Sequence, residues 1–246
     1  MSNSPETVID IPSTGIQPEV LVGAGRQRWF EVGLVLLVTC GGAFLNALYI
    51  LINGPNAAPH ISNAGWLTGI VQEVAGLLLL AYVLSRRSLR FKYLGLRWSL
   101  RDVGVGLLVA SVSFAAYLLG STVVHLLHYG LYGSLAKGSS GSDFFAHPSI
   151  AAIPFSLLNP FFEELIVRAY LMTEVSDLTG SSTLAVVASV AVQFSYHLYY
   201  GWAGAISLSF QFLVFALYYM RSRRALPIIV AHGCSTYTAW LVYGRS

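Results

Sequence analysis

Apolar runs of about 20 residues recur along the chain, each ended by a short polar stretch, and this length predicts helices that cross a bilayer. The runs fall at about 30–52, 67–84, 103–127, 150–172, 182–199, 202–220 and 225–243. Turn-forming residues separate them, as in the loop with Asn53, Gly54, Pro55, Asn56 and Pro59 and the Gly- and Ser-rich loop near 128–148. Residues 1–25 lack such a run, are rich in Ser, Thr and Pro, carry Glu6, Asp10 and Glu19, and read as a disordered tail without signal-peptide features. The expectation is an all-α, polytopic transmembrane bundle of about seven spans over 26–246. No internal repeat argues for an inverted-repeat transporter.

Composition supports that class. Of 246 residues, 55% are hydrophobic and 10% charged, against about 25% charged in a soluble domain, and mean hydropathy is +0.65. A net charge of +3 does not argue for nucleic acid, and no nucleic-acid partner is expected; what matters is where the cations fall. With seven spans, eleven of the 14 Lys and Arg lie on one side, including Arg26, Arg28, Arg223, Arg224 and six in the loop 85–102, while Lys137 and Arg245 lie on the other. The positive-inside rule then places the N-terminus in the cytoplasm and the C-terminus outside. Phe91, Tyr93 and Trp98, interleaved with the loop cations, suit the headgroup level. All five tryptophans stand near span ends, as in an aromatic belt. Cys40 and Cys234 lie within spans, which supports neither a disulfide framework nor a CxxC metal site.

The fourth run breaks the apolar pattern with Asn159-Pro160-Phe161-Phe162-Glu163-Glu164-Leu165-Ile166-Val167-Arg168. Ionisable groups at that depth cost about 2.5–3.5 kcal/mol each on insertion scales, so they are rare and usually functional. Successive helical residues turn by about 100°, so Glu163 and Glu164 face different ways, whereas Glu164 and Arg168 share a face. The economical arrangement pairs Glu164 with Arg168 and leaves Glu163 for another partner, free to accept a proton. Pro160 predicts a kink, for packing or to free a backbone acceptor. Glu73 in the second span is expected to pair with another helix or to line a substrate channel. His197 and His232 fall within the fifth and seventh spans. His60, His125, His128 and His147 lie in loops or at span ends. At 1.5 Å per residue, Glu163 and His232 lie roughly 10–17 Å from the cytoplasmic edge and His197 roughly 20 Å. The same groups would suit a proton-coupled transporter. They would also suit zinc held by Glu163, His197 and His232, although the His-Glu-x-x-His spacing is missing.

Glu-Glu-x-x-x-Arg on one span, a Phe-containing stretch ending in His197 on the next and His232 further on resemble the CPBP family, the CAAX proteases and bacteriocin-processing enzymes. The resemblance covers about 148–243. Three positions depart from the family pattern: Gln193 stands where Phe is usual, with Phe194 one place later; Thr236 replaces the Asn or Asp four after His232; and Ala169 replaces Gly. The resemblance implies an intramembrane endopeptidase acting on a peptide or protein with a membrane-proximal cleavage site. In it Glu163 and His197 activate water, His232 with Thr236 stabilises the oxyanion, and Glu164 and Arg168 support them. No cofactor is required if the mechanism is of the glutamate type, and Zn is possible if it is a metalloprotease. An inactive immunity or scaffold protein of the same fold, or a transporter, remains the alternative.

Overall fold

The computed structural model describes residues 18–54, 62–134 and 150–243. The predicted tail, most of the loop after Asn53 and the Gly- and Ser-rich loop therefore lie largely outside the described residues. All described elements are helical: α1 (Pro18–Asn53), α2 (Asn63–Arg86), α3 (Leu100–Tyr132), α4 (Ala152–Glu163), a π-helical stretch (Glu164–Tyr170), α5 (Leu171–Thr179), α6 (Ser182–Tyr196), a 3₁₀ turn (Leu198–Tyr200), α7 (Gly201–Ser222) and α8 (Ala225–Tyr243). By length and composition five of them could cross a membrane: Gly25–Asn53, Asn63–Arg86, Leu100–Tyr132, Leu198–Ser222 and Ala225–Val242. The shorter apolar α6 and the charge-bearing run from α4 through α5 pack with these five to complete an all-α bundle.

Local chemistry sets the ends. Ser62 and Ser181 cap α2 and α6, each hydroxyl accepting from a backbone N–H three residues on, at 3.2 Å. Gly180 ends α5 with φ 69°, a left-handed conformation that glycine adopts without a Cβ penalty. Gly95, at φ 78°, lets the loop after α2 press on the α7–α8 turn: its carbonyl accepts from Ala225 N–H at 3.1 Å, and a Cβ there would collide with the Arg223 carbonyl.

The core is the π-helical stretch itself. Every residue from Glu164 to Tyr170 is buried, surrounded by α6, α7 and α8. Outward-facing Leu37, Val71, Leu108 and Leu131 remain exposed, as lipid-facing positions are. Pro160 lies inside α4 and the helix runs through it; the departure from α geometry comes one turn later, as a π stretch, a form often found at functional sites. The tryptophans divide. Trp29, Trp98 and Trp202 are exposed, as a belt requires, but Trp66 is buried, its ring centroid 5.1 Å from that of Phe155 and 6.5 Å from that of Trp240. Trp240 donates its indole N–H to the Ser156 hydroxyl at 2.9 Å.

Charged residues tie the helices together at one end. Glu174, fully buried, accepts from Arg28 and from Arg87, both at 2.8 Å, and Arg87 also pairs with Glu31. Asp102 at the start of α3 meets Arg224 at 2.7 Å, and Arg223 donates to the Thr173 hydroxyl at 3.0 Å. Alternating chain direction thus gathers the start of α1, the ends of α2 and α5 and the α7–α8 turn, which is where the sequence concentrates its cations.

Candidate active site

Glu163 ends α4 with its side chain turned toward α6. There Gln193 Nε2 donates to its Oε2 at 2.7 Å and Tyr196 OH to the same oxygen at 2.9 Å. Asn159, one turn back on the same helix, donates to Oε1 at 3.2 Å. A carboxylate offers about four lone-pair positions, so these three donors orient the group and leave one position, on Oε1, open. No cation touches it directly, but both His197 and His232 lie within electrostatic reach.

Glu164 looks the other way. Its Oε1 accepts from His232 Nδ1 at 2.9 Å, while Arg168 Nε stands 3.7 Å from Oε2, an ion pair beyond hydrogen-bond distance. The pairing of Glu164 with Arg168 expected from helical spacing is therefore present but loose, and the closer partner comes from α8. Arg168 is fully buried; its Nη1 donates to Ser189 at 3.0 Å, and its guanidinium carbon lies 5.5 Å from the centroid of Phe212. The Ser189 hydroxyl in turn donates to the Val167 carbonyl at 2.7 Å. A π-helical stretch shifts backbone bonds from i+4 to i+5, and here a hydroxyl from the neighbouring helix joins it.

The two histidines share a feature. His197, at the end of α6, has Nδ1 2.8 Å from the Gln193 carbonyl. His232, on α8, has Nδ1 on the Glu164 carboxylate. A carbonyl or carboxylate only accepts, so in both rings Nδ1 carries the proton, and in the neutral ring Nε2 is left with its lone pair. The His197 ring is walled by aromatics, with centroids 4.8 Å from Phe212 and 4.7 Å from Tyr196. Phe194 faces elsewhere: it packs against Leu198, Ala205 and Ala47 and lies 5.9 Å from the Trp202 ring. Thr236 is partly buried on α8, and its hydroxyl has no hydrogen-bond partner among the described residues.

Tertiary structure adds groups that the motif reading left aside. Asn159, Tyr196 and Ser189 hold the acidic pair and its arginine, and Gln193, noted in the sequence only as a departure, is a donor to Glu163. The one signal available for them was polarity within otherwise apolar runs. Glu73 fulfils its expected pairing with another helix, accepting from Asn159 Nδ2 at 2.8 Å. Among the described residues, no group of three or more His, Cys, Asp and Glu side chains is gathered so as to hold a metal ion. Zinc ligands must converge to about 2.0–2.2 Å from one point. Glu163, His197 and His232 do not form such a group among the described residues.

No curated protein and no solved structure matches the chain. A family model described as "Type II CAAX prenyl endopeptidase Rce1-like" matches residues 145–238. That segment holds both glutamates, Arg168, both histidines and Thr236, and agrees with the CPBP resemblance of the motifs. Residues 145–238 of this integral membrane chain are thus similar to the Rce1-like CAAX prenyl endopeptidases.

Proposed function

We propose that the chain is an intramembrane endopeptidase that hydrolyses a peptide bond with a water held by Glu163 and deprotonated by His197. The observation that carries this reading is a carboxylate with one open acceptor position within electrostatic reach of two imidazoles whose Nδ1 atoms are both engaged. Water donates one hydrogen to the open position of Glu163 Oε1, and His197 Nε2 takes the other proton as the oxygen attacks the scissile carbonyl. His232 acts in the doubly protonated form, with Glu164 as its counter-ion on Nδ1, and donates from Nε2 to the oxyanion, assisted by the Thr236 hydroxyl. The proton on His197 then passes to the leaving amine, which completes the hydrolysis. Arg168 balances the acidic pair and holds Glu164 in place from one side.

The substrate is a peptide or protein cleaved next to the membrane, and the family description makes a prenylated CAAX peptide the first probe. By the distribution of cations the N-terminus is cytoplasmic, which a reporter fused at each terminus would test. The central experiment measures cleavage of an internally quenched farnesylated CAAX peptide by the full chain in nanodiscs. Glu163→Gln and His197→Ala should each lose cleavage at unchanged expression and thermal stability, and a chelator should leave the wild type active. Wild-type rates in both variants would refute the assignment and favour a scaffold of the same fold. Proton-dependent uptake abolished by the same variants would favour a transporter.

A further inference from the structure

Glu73 is a buried carboxylate that the mechanism above does not use, and it lies outside residues 145–238. It sits on α2, 4% exposed, with Oε1 accepting from Asn159 Nδ2 at 2.8 Å and Oε2 lacking a hydrogen-bond partner. The same Asn159 nitrogen donates to Glu163 Oε1 at 3.2 Å. An amide nitrogen has two hydrogens, so Asn159 spends one on each carboxylate and is fully committed between them.

The helices on either side leave this bridge little freedom. At Gly69 an added Cβ would stand 2.8 Å from Phe155 Cε2, and at Gly76 it would stand 2.6 Å from Phe162 Cε2. The two glycines are seven residues apart on α2, and the two phenylalanines are seven apart on α4. Between these contacts lies Glu73 opposite Asn159. Three successive pairs rising together along both chains define a parallel register: Gly69 with Phe155, Glu73 with Asn159, Gly76 with Phe162. Each phenyl ring fills the space that a side chain on α2 would need, so α4 cannot slide or rotate without a clash.

From this geometry we infer that Glu73 is a positioning residue for Glu163, acting through Asn159, and that α2 thereby supplies part of the active site from outside the family segment. Its role is that of a hydrogen-bond acceptor. It keeps the Asn159 amide from rotating, which keeps the second amide hydrogen on Glu163 Oε1 and the remaining lone pair of that oxygen aimed at the water. This inference rests on the assignment of Glu163 as the residue that holds the water.

The test uses the full chain in nanodiscs with the farnesylated quenched peptide, and reads kcat, KM and thermal stability. Removing an outer hydrogen-bond partner of a metal-ligating group typically costs about 10- to 100-fold, and a loss of that order is expected here for the orientation of Glu163. Glu73→Leu and Asn159→Leu should each lower kcat by about that factor with KM within twofold of wild type. The double variant should be no slower than the worse single one, because both break one chain of contacts. Glu73→Gln keeps an acceptor oxygen and should recover kcat to within about threefold, and it stands in should Glu73→Leu fail to fold. Wild-type kcat in Glu73→Leu while Glu163→Gln is inactive would overturn the inference alone. Multiplicative losses in the double variant would overturn it too, as would a Glu73→Gln that folds yet is as slow as the leucine variant. Activity in Glu163→Gln, or a wild type inert toward the probe, would instead remove the reading on which it rests.

Discussion

Gln193→Leu separates the chemistry of the site from its stability. Gln193 is fully buried, and the two polar atoms of its amide have unequal fates: Nε2 donates to Glu163 at 2.7 Å, whereas Oε1 has no hydrogen-bond partner among the described residues. A hydrogen bond to a charged group contributes about 1.5–3 kcal/mol, and a buried acceptor left without a partner costs about 1–3 kcal/mol. Leucine, of similar size, removes both at once, so the two effects on folding largely offset and thermal stability should move by no more than a few degrees. Catalysis has no such offset. Glu163 would keep only Tyr196 and Asn159 as donors, and its carboxylate could turn away from the water it holds. If the lost 1.5–3 kcal/mol appears in the transition state, kcat falls by about 10- to 150-fold, at about 1.36 kcal/mol per tenfold. Steady-state cleavage of the quenched peptide, with thermal denaturation of the same nanodisc samples, reads both quantities. A Gln193→Leu chain with kcat within twofold of wild type would refute the positioning argument. A rate loss that follows a comparable loss of stability would show that Gln193 merely holds α4 against α6.

Three further outcomes follow from the packing and the charges. Gly76→Ala places a methyl 2.6 Å from Phe162 and 2.9 Å from Thr39 Cγ2, and overpacking of this kind costs about 1–3 kcal/mol, measurable as a lower midpoint of thermal unfolding; an unchanged midpoint would show that α2 and α4 separate freely. Glu174→Leu leaves Arg28 and Arg87 facing each other without their shared anion; removing one partner of a buried pair costs about 3–5 kcal/mol, and since both arginines keep some solvent contact the loss should be nearer 2 kcal/mol, with part of it recovered by Arg28→Leu. Burial and the neighbouring Asp177 charge raise the Tyr93 phenol above its ordinary value. The folded chain therefore favours the neutral phenol. That stabilisation is complete below the unfolded value of about 10 and is lost as pH rises through the folded one, so Tyr93→Phe should flatten the alkaline fall in stability seen by pH-dependent denaturation.

Membrane class, the all-helical fold and the end on which cations gather were all legible in the sequence, because hydropathy and charge are sums over about 20 residues and survive errors of a few positions. The acidic motif was legible for a related reason, since ionisable groups in an apolar run carry a cost that only a specific environment offsets. Rotation about each helix axis was not legible. Trp66, Trp98 and Trp202 all stand near span ends, yet only the neighbours of α2 decide that Trp66 turns inward onto Phe155 and Trp240. The partners of Glu164 were likewise beyond local arithmetic. Spacing along one helix identifies Arg168, but the nearer group is His232, 68 residues away, and the π-helical stretch between Glu164 and Tyr170 changes the very periodicity on which that spacing relies. Gln193 read as a departure from a family pattern and became a donor to Glu163 once α6 lay beside α4. Glu73 and Asn159, 86 residues apart, met only because two glycines on α2 make room for two phenyl rings on α4. Sequence determines which side chains are too polar to face lipid; the choice of partner depends on helix rotation and register, which close packing between distant segments alone decides.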